Sequence, residues 1–326
     1  MLAASYKSLG AADQVLEFGE LPTPVPGPGE VRVKLVFSGV NPSDVKSRAG
    51  SRGMPYERVI PHSDGAGHID EVGTDVNANR IGERVWVWNA AWKRAHGTAA
   101  QYVVLPEAQA VLLPEGVSMQ AGACLGIPAL TALHALQMAG GVQGQSVLIA
   151  GGAGSVGHYA VQMAKLLGAK HVVATVSSDV KAKLARDAGA DTVINYKTQD
   201  TTALCLEASG GEGLDRIVEV DLAANIALDQ AVLKPNGCMA IYGSGKAEIA
   251  VPFLPSIIKN IHMNFFIVYE LSPANRSMAV SQLSEWLAAG TLRHNIASTV
   301  ALADVVKAHQ SVEQGAVAGN VVLEIE

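Results

Sequence analysis

Residues 146–169 read SVLIAGGAGSVGHYAVQMAKLLGA, a short apolar run, a glycine-rich turn and an amphipathic stretch, in that order. Gly152, Gly154 and Gly157 fit the spacing G-x-G-x-x-G, while Gly151, Gly154 and Gly157 fit G-x-x-G-x-x-G. Either register serves the same physics. Glycines permit the tight turn, bring backbone amides up to a pyrophosphate and let the helix pack closely on its strand. The helix N-terminus then faces the anion. Alone, such a pattern describes any tight turn. Set between a buried strand and a helix, it reads as a dinucleotide loop made of Gly151, Gly152, Ala153, Gly154, Ser155, Val156 and Gly157.

Downstream the same rhythm repeats. HVVATV (171–176), DVKAKLARDAG (179–189), DTVIN (191–195), LDRIVEV (214–220) and CMAIYG (238–243) alternate apolar runs with helical stretches. Strands that are apolar throughout suit a parallel sheet covered on both faces, so this half is expected to be a doubly wound α/β sheet. A site that prefers NADH usually carries an acidic residue at the end of the second strand. Here Ser177 and Ser178 stand there, and Lys181 follows one turn later. Hydroxyls and an ammonium group attract a 2′-phosphate that a carboxylate would repel, so NADPH is the expected cofactor. Asp179 has a bland role as cap or first-turn anion of the following helix, and Lys181 has one as a solvated surface lysine. Gly243 and Ser244 follow a strand end, where open α/β sheets bind ligands.

Upstream, residues 1 to about 120 show short alternating runs broken by turn residues, which is β-rich and antiparallel in character. LPTPVPGPGE (21–30) holds four prolines in ten residues and reads as a surface connection. The tail carries two helical stretches, 275–290 and 303–315, and a last strand from Asn320. The expected layout is a β-rich domain over 1–122, completed by 268–326, and a sheet domain over 123–267.

With 49% hydrophobic and 17% charged residues in 326, a large core is expected and general disorder is not. A net charge of −6 without a Lys/Arg run makes nucleic acid an unsuitable partner. No stretch of 18 uninterrupted apolar residues and no basic-then-apolar leader occur, so no membrane partner and a cytoplasmic location are expected. Cys124, Cys205 and Cys238 are spaced for neither a disulfide framework nor a metal knuckle.

GVNPSDVKSRAG (39–50), PHSDGAGHIDEVG (61–73), GERVW (82–86), LGIPALTALHAL (125–136), GGAGSVG (151–157), AGADTVINY (188–196) and GNVVLEIE (319–326) follow one another along nearly the whole chain. In that order they resemble the landmarks of the zeta-crystallin-like quinone reductases, the zinc-independent branch of the medium-chain dehydrogenases and reductases. The resemblance implies a GroES-like catalytic domain beside a Rossmann domain. It also implies hydride transfer from NADPH to a quinone or an α,β-unsaturated carbonyl, and a homodimer. Zinc-dependent relatives need a Cys and a Gly-His-Glu where this chain has Asn41 and His62-Ser63-Asp64-Gly65, and no cysteine precedes 124. Soft or imidazole ligands for zinc are thus missing there, and no metal is expected.

On the substrate side, Asn41 is expected to donate an amide hydrogen to a carbonyl oxygen and to lie near the cofactor. Asp44 is expected to position a neighbour or a water, and Tyr56 to serve as a further donor. A plain turn is the bland reading of Asn-Pro-Ser-Asp. The resemblance places Thr131 near the nicotinamide and Tyr196 near the 2′-phosphate. Phe266 and Val268 join the cofactor side, or else belong with Phe265 to a strand that pairs across a dimer. Asn320 stands where the family has Lys, and Lys46 and Arg52 stand where relatives have tyrosines, which leaves the acceptor class open. Lys46, Arg48 and Arg52 make the loop cationic, suited to an acidic acceptor or simply to solvent. His62 and His68 are read as structural. Two other readings are an enoyl-thioester reductase and an NADPH-binding sensor or structural protein without turnover.

Overall fold

A computed structural model describes residues 1–315 and 317–325. The chain forms two compact units, Met1–Ile127 with Ser284–Glu326, and Pro128–Leu283. Among the described residues the first unit opens with strands β1 (Leu2–Ser5), β2 (Glu17–Glu20), β3 (Glu30–Val40), β4 (Asp64–Val72), β5 (Arg84–Val87), β6 (Tyr102–Pro106) and β7 (Ala110–Leu112). The second contributes β8 (Ser146–Ile149), β9 (His171–Val176), β10 (Thr192–Asn195), β11 (Leu214–Glu219), β12 (Leu233–Ile241) and β13 (His262–Phe265). The chain then returns to the first unit with β14 (Ile296–Ala301) and β15 (Asn320–Glu324).

In the first unit the long strand β3 organises the sheet. Val31, Val33, Leu35 and Phe37 are buried while Lys34 faces solvent, the two-residue alternation that a sheet with one covered face requires. Its first half pairs with β6 and its second half with β15, both antiparallel, and β4 runs antiparallel along nearly its whole length. Two register shifts in the β3–β4 ladder bend the strand. The full order is β14-β15-β3-β4-β5-β7, with β6 on β3, and the last pair, β14 with β15, is parallel. Residues from the chain's end, among them Leu302, Val305, Ala308, Val321 and Leu323, share one core with Val31, Val33, Leu35 and Val85.

In the second unit the strand order is β10-β9-β8-β11-β12-β13, and every pair is parallel. This is the doubly wound α/β sheet expected from the apolar runs. Residues expected to lie in one late strand are divided, because β13 ends at Phe265 and Val268 opens a single 3₁₀ turn. Arg216, within the apolar β11, is 1% exposed. Its guanidinium donates to the carbonyls of Ala135, Met138, Ala139 and Gly141 at 2.8–3.1 Å. Ala135 lies in the last turn of the helix Leu130–Gln137 and the others in the segment after it, so the cation ties the helix's C-terminal end to the sheet.

At the far end of β11, Glu219 meets Asp229 of the helix Leu222–Val232, and both are buried. Asn225 Nδ2 donates to Glu219 Oε1 at 2.9 Å. Burial first, and the neighbouring Glu219 second, push the Asp229 carboxyl well above the usual carboxylate range. Burial raises Glu219 as well, so the pair keeps a proton near neutrality. A carboxyl whose folded pKa is raised gives its full stability below its unfolded pKa, about 4, and loses it as pH rises above that. Asp229→Asn, which needs no proton, is expected to raise the urea midpoint at pH 8 and to lose most of that gain at pH 5. An equal shift at both pH values would mean that the pair is ionised in the folded chain.

Candidate active site

All strands of the second unit point one way, so every strand-to-helix turn from β8 to β12 opens at the same edge of the sheet. There Gly151 adopts φ 71° and its N–H donates to Thr175 Oγ1 at 3.2 Å, while the Gly152 N–H donates to the Thr175 carbonyl at 2.9 Å. Gly154 caps the helix Ser155–Leu166, and Ala153 is buried beneath the turn. A Cβ on Gly157 would stand 2.1 Å from the Gly151 carbonyl oxygen, so only glycine lets this helix sit so near the turn. The first-turn backbone amides, Ser155 and Val156 among them, are what a pyrophosphate needs.

At the end of β9, Ser178 caps the helix Asp179–Asp187 by accepting the Lys181 backbone N–H at 3.4 Å. The Lys181 ammonium donates to Ser177 Oγ at 3.2 Å, so hydroxyl and cation form one cluster. Asp179 lies in the first helical turn. Tyr196 follows β10 and is 53% exposed. Gly243 and Ser244 follow β12, and Ser244 Oγ donates to the Lys246 carbonyl at 2.6 Å. Asp221 Oδ1 accepts the Gly245 N–H at 2.7 Å and fixes that turn. Elsewhere in this unit Thr131 is buried in the helix Leu130–Gln137, and the Phe266 ring lies edge-on to His134 at 4.9 Å. The Val268 carbonyl is taken by Arg276.

In the first unit, Asn41 starts the helix Pro42–Arg48, and a reciprocal capping box joins it to Asp44. Asp44 accepts the Asn41 backbone N–H at 2.9 Å, and Asn41 Nδ2 donates to Asp64 Oδ2 at 2.9 Å. Burial pushes the Asp44 carboxyl up to about 7, against the opposing pull of the Asn41 amide and the Arg52 cation. The Tyr56 hydroxyl donates to the Lys93 carbonyl at 2.6 Å, so its hydrogen is already committed. Arg48 corrects the expectation of a uniformly cationic loop: it is fully buried and paired with Glu313. Arg52 instead lies over the Trp92 ring, 4.9 Å from its centroid. Asn320 Nδ2 donates to the Asn295 carbonyl at 3.0 Å, which occupies one of its amide hydrogens.

Thr175, Asp64, Ser38, Thr98 and His309 were not singled out by sequence reasoning. Thr175 left a signal, as the one hydroxyl residue in the apolar run of β9. His309 left none, because its partner His62 is 247 residues away. No three His, Cys, Asp or Glu side chains converge as metal ligands among the described residues. No helix among them is long and apolar enough to cross a membrane.

Residues 27–115 match the alcohol dehydrogenase GroES-like domain, and residues 155–289 match the zinc-binding dehydrogenase domain. That pairing is the architecture of a medium-chain dehydrogenase/reductase. The chain is 32% identical to the quinone oxidoreductase of Rattus norvegicus over 261 residues, 76% of this chain and 77% of that one. Among solved structures it resembles an NAD-dependent alcohol dehydrogenase with 28% identity, complete coverage of both chains and a TM-score of 0.91. It also resembles a mycobacterial protein solved in complex with NADPH, with 26% identity, 99% coverage of each chain and a TM-score of 0.88. The chain belongs to the quinone oxidoreductase family of the medium-chain dehydrogenases and reductases.

Lys181→Ala is expected to narrow the NADPH:NADH ratio of kcat/KM about tenfold, the equivalent of about 1.4 kcal/mol at one ionic contact. An unchanged ratio would remove Lys181 from the 2′-phosphate site.

Proposed function

We propose that this chain reduces quinones or α,β-unsaturated carbonyls with NADPH, without a metal. The observation that carries the reading is the edge of the parallel sheet. There the Gly151–Gly157 turn and the Ser177–Ser178–Lys181 cluster offer a pyrophosphate cradle and a cationic cluster, with two serines directly after β9 and Asp179 in the first turn of the next helix. The absent Cβ at Gly157 and the helix N-terminus fit the cofactor's anionic centre. Bound NADPH supplies the hydride. The chain's own part is to bind the two phosphate regions, with Tyr196, Gly243 and Ser244 around the same edge, and to hold the nicotinamide end with Thr131, Phe266 and Val268.

On the acceptor side, we assign the Asn41 amide, which donates to Asp64 Oδ2, to the acceptor's carbonyl oxygen as negative charge develops there. Asp44 fixes the backbone of Asn41. Tyr56, expected as a donor, gives its hydroxyl hydrogen to the Lys93 carbonyl and is not proposed for that role. The β-rich unit is thus the catalytic one and the Rossmann unit the cofactor-binding one. We place the chain in the cytoplasm, where its three free, buried thiols remain reduced.

Anaerobic NADPH oxidation against quinones, enones, alkenals and enoyl thioesters, with NADH in parallel, tests the reading. Turnover of quinones or enones with an NADPH preference is expected. Tight NADPH binding without oxidation of any acceptor would replace it with a sensor role.

We propose further that the chain is a homodimer. β13 is the open edge of the parallel sheet, and beside it the helix Phe253–Ile258 exposes Phe253 (73%), Ile258 (70%) and Leu254 (63%), with Phe265 at 64%. An apolar edge of this kind suits a second copy of the same edge. Light scattering is expected to give twice the 33.9 kDa chain mass, and Phe253→Glu with Ile258→Lys the single mass. A monomeric wild type would refute the dimer.

A further inference from the structure

We propose that Asp64 is a positioning residue that orients the Asn41 carboxamide, so that the amide meets the reacting partners as a donor. This rests on the reading of Asn41 as a donor to the acceptor. Asn41 Nδ2 donates to Asp64 Oδ2 at 2.9 Å, so Asp64 holds the NH₂ end of Asn41 toward itself. On the other side the capping box sets the Asn41 side chain against the Asp44 backbone, where an N–H requires the amide oxygen. Both contacts favour the same orientation of the amide, in which Asn41 enters the reaction as a donor.

Asp64 is itself held with unusual firmness. It is fully buried, and a Cβ on Gly126 would come within 2.4 Å of its Oδ1. Its backbone carbonyl accepts from Thr98 Oγ1 at 2.5 Å. Thr98 Oγ1 lies 2.8 Å from Ser38 Oγ, Ser38 Oγ lies 2.9 Å from His62 Nδ1, and His62 Nε2 lies 2.9 Å from His309 Nε2. His62 takes a left-handed conformation, φ 77°, which a histidine adopts at some strain and which persists only where its surroundings enforce it. Burial lowers both imidazoles, His309 to about 3, so both are neutral and one donates while the other accepts. The hydroxyl chain ends on a backbone carbonyl, which has no proton to pass on. It is therefore a brace for the start of β4, where Asp64 lies, and not a proton relay to Asn41.

A double-mutant cycle on the full chain tests the proposal, using NADPH and the best acceptor of the panel. Asp64→Leu, of similar volume but without an acceptor, is expected to lower kcat about tenfold, the scale of effect that follows small misplacement of a reacting group. Asp64→Asn retains an acceptor oxygen and is expected to stay within about threefold of wild type. The decisive comparison is the double variant: Asn41→Ala with Asp64→Leu is expected to be no slower than Asn41→Ala alone, since Asp64 acts only through Asn41. Losses that multiply, or an Asp64→Asn as slow as Asp64→Leu, would overturn the proposal while leaving the donor role of Asn41 standing. Wild-type kcat and KM in Asn41→Ala would instead remove that role itself. Asp64→Ala closes the same cycle if the leucine variant does not fold.

Discussion

Parallel strands cannot be joined by tight hairpins; each must cross back over the sheet, through a helix, before the next begins. In the second unit this one constraint sends every strand from β8 to β12 in the same direction, and every strand end to the same edge. The glycine turn after β8, the serine pair after β9, Tyr196 after β10 and Gly243–Ser244 after β12 thereby become neighbours along one line, though about ninety residues separate the first from the last. A helix N-terminus at that line supplies positive potential without any charged side chain. The Lys181 ammonium and the Ser177 hydroxyl form a cluster beside it.

The β-rich unit works on a different principle. Its acceptor-side residues sit on a short helix, Pro42–Arg48, which could not hold its shape alone. Both ends of that helix are anchored from afar. At the N-terminus Asp64, from β4, fixes Asn41; at the C-terminus Glu313, 265 residues later in the chain, takes the buried Arg48. The returning segment thus does more than complete a sheet, since its helix Val305–Glu313 brings both Glu313 and His309 against the start of the chain. A buried guanidinium or imidazole without such a partner would cost several kcal/mol.

Much of this was legible in the sequence. The βα alternation, the parallel sheet and the dinucleotide turn follow from contacts within about thirty residues, where apolar period, glycine spacing and helix caps all act locally. The serine pair directly after HVVATV was equally plain. Less legible was what each side chain spends its hydrogen bonds on. Ser178 serves as a helix cap, the Tyr56 hydrogen is given to the Lys93 carbonyl, and Arg48 turns inward instead of joining Lys46 and Arg52 in a cationic loop.

The sequence by itself determined the architecture and the chemistry of the phosphate edge, because a turn, a strand and a helix are specified by residues that lie next to one another. Only the tertiary structure decided the orientation of Asn41, the brace from His309 through His62 to Asp64, and the burial of the Asp229 carboxyl beside Glu219. Those features depend on polar groups meeting where water is excluded. Which groups meet there is set by how distant segments pack, and no local pattern in the chain records it.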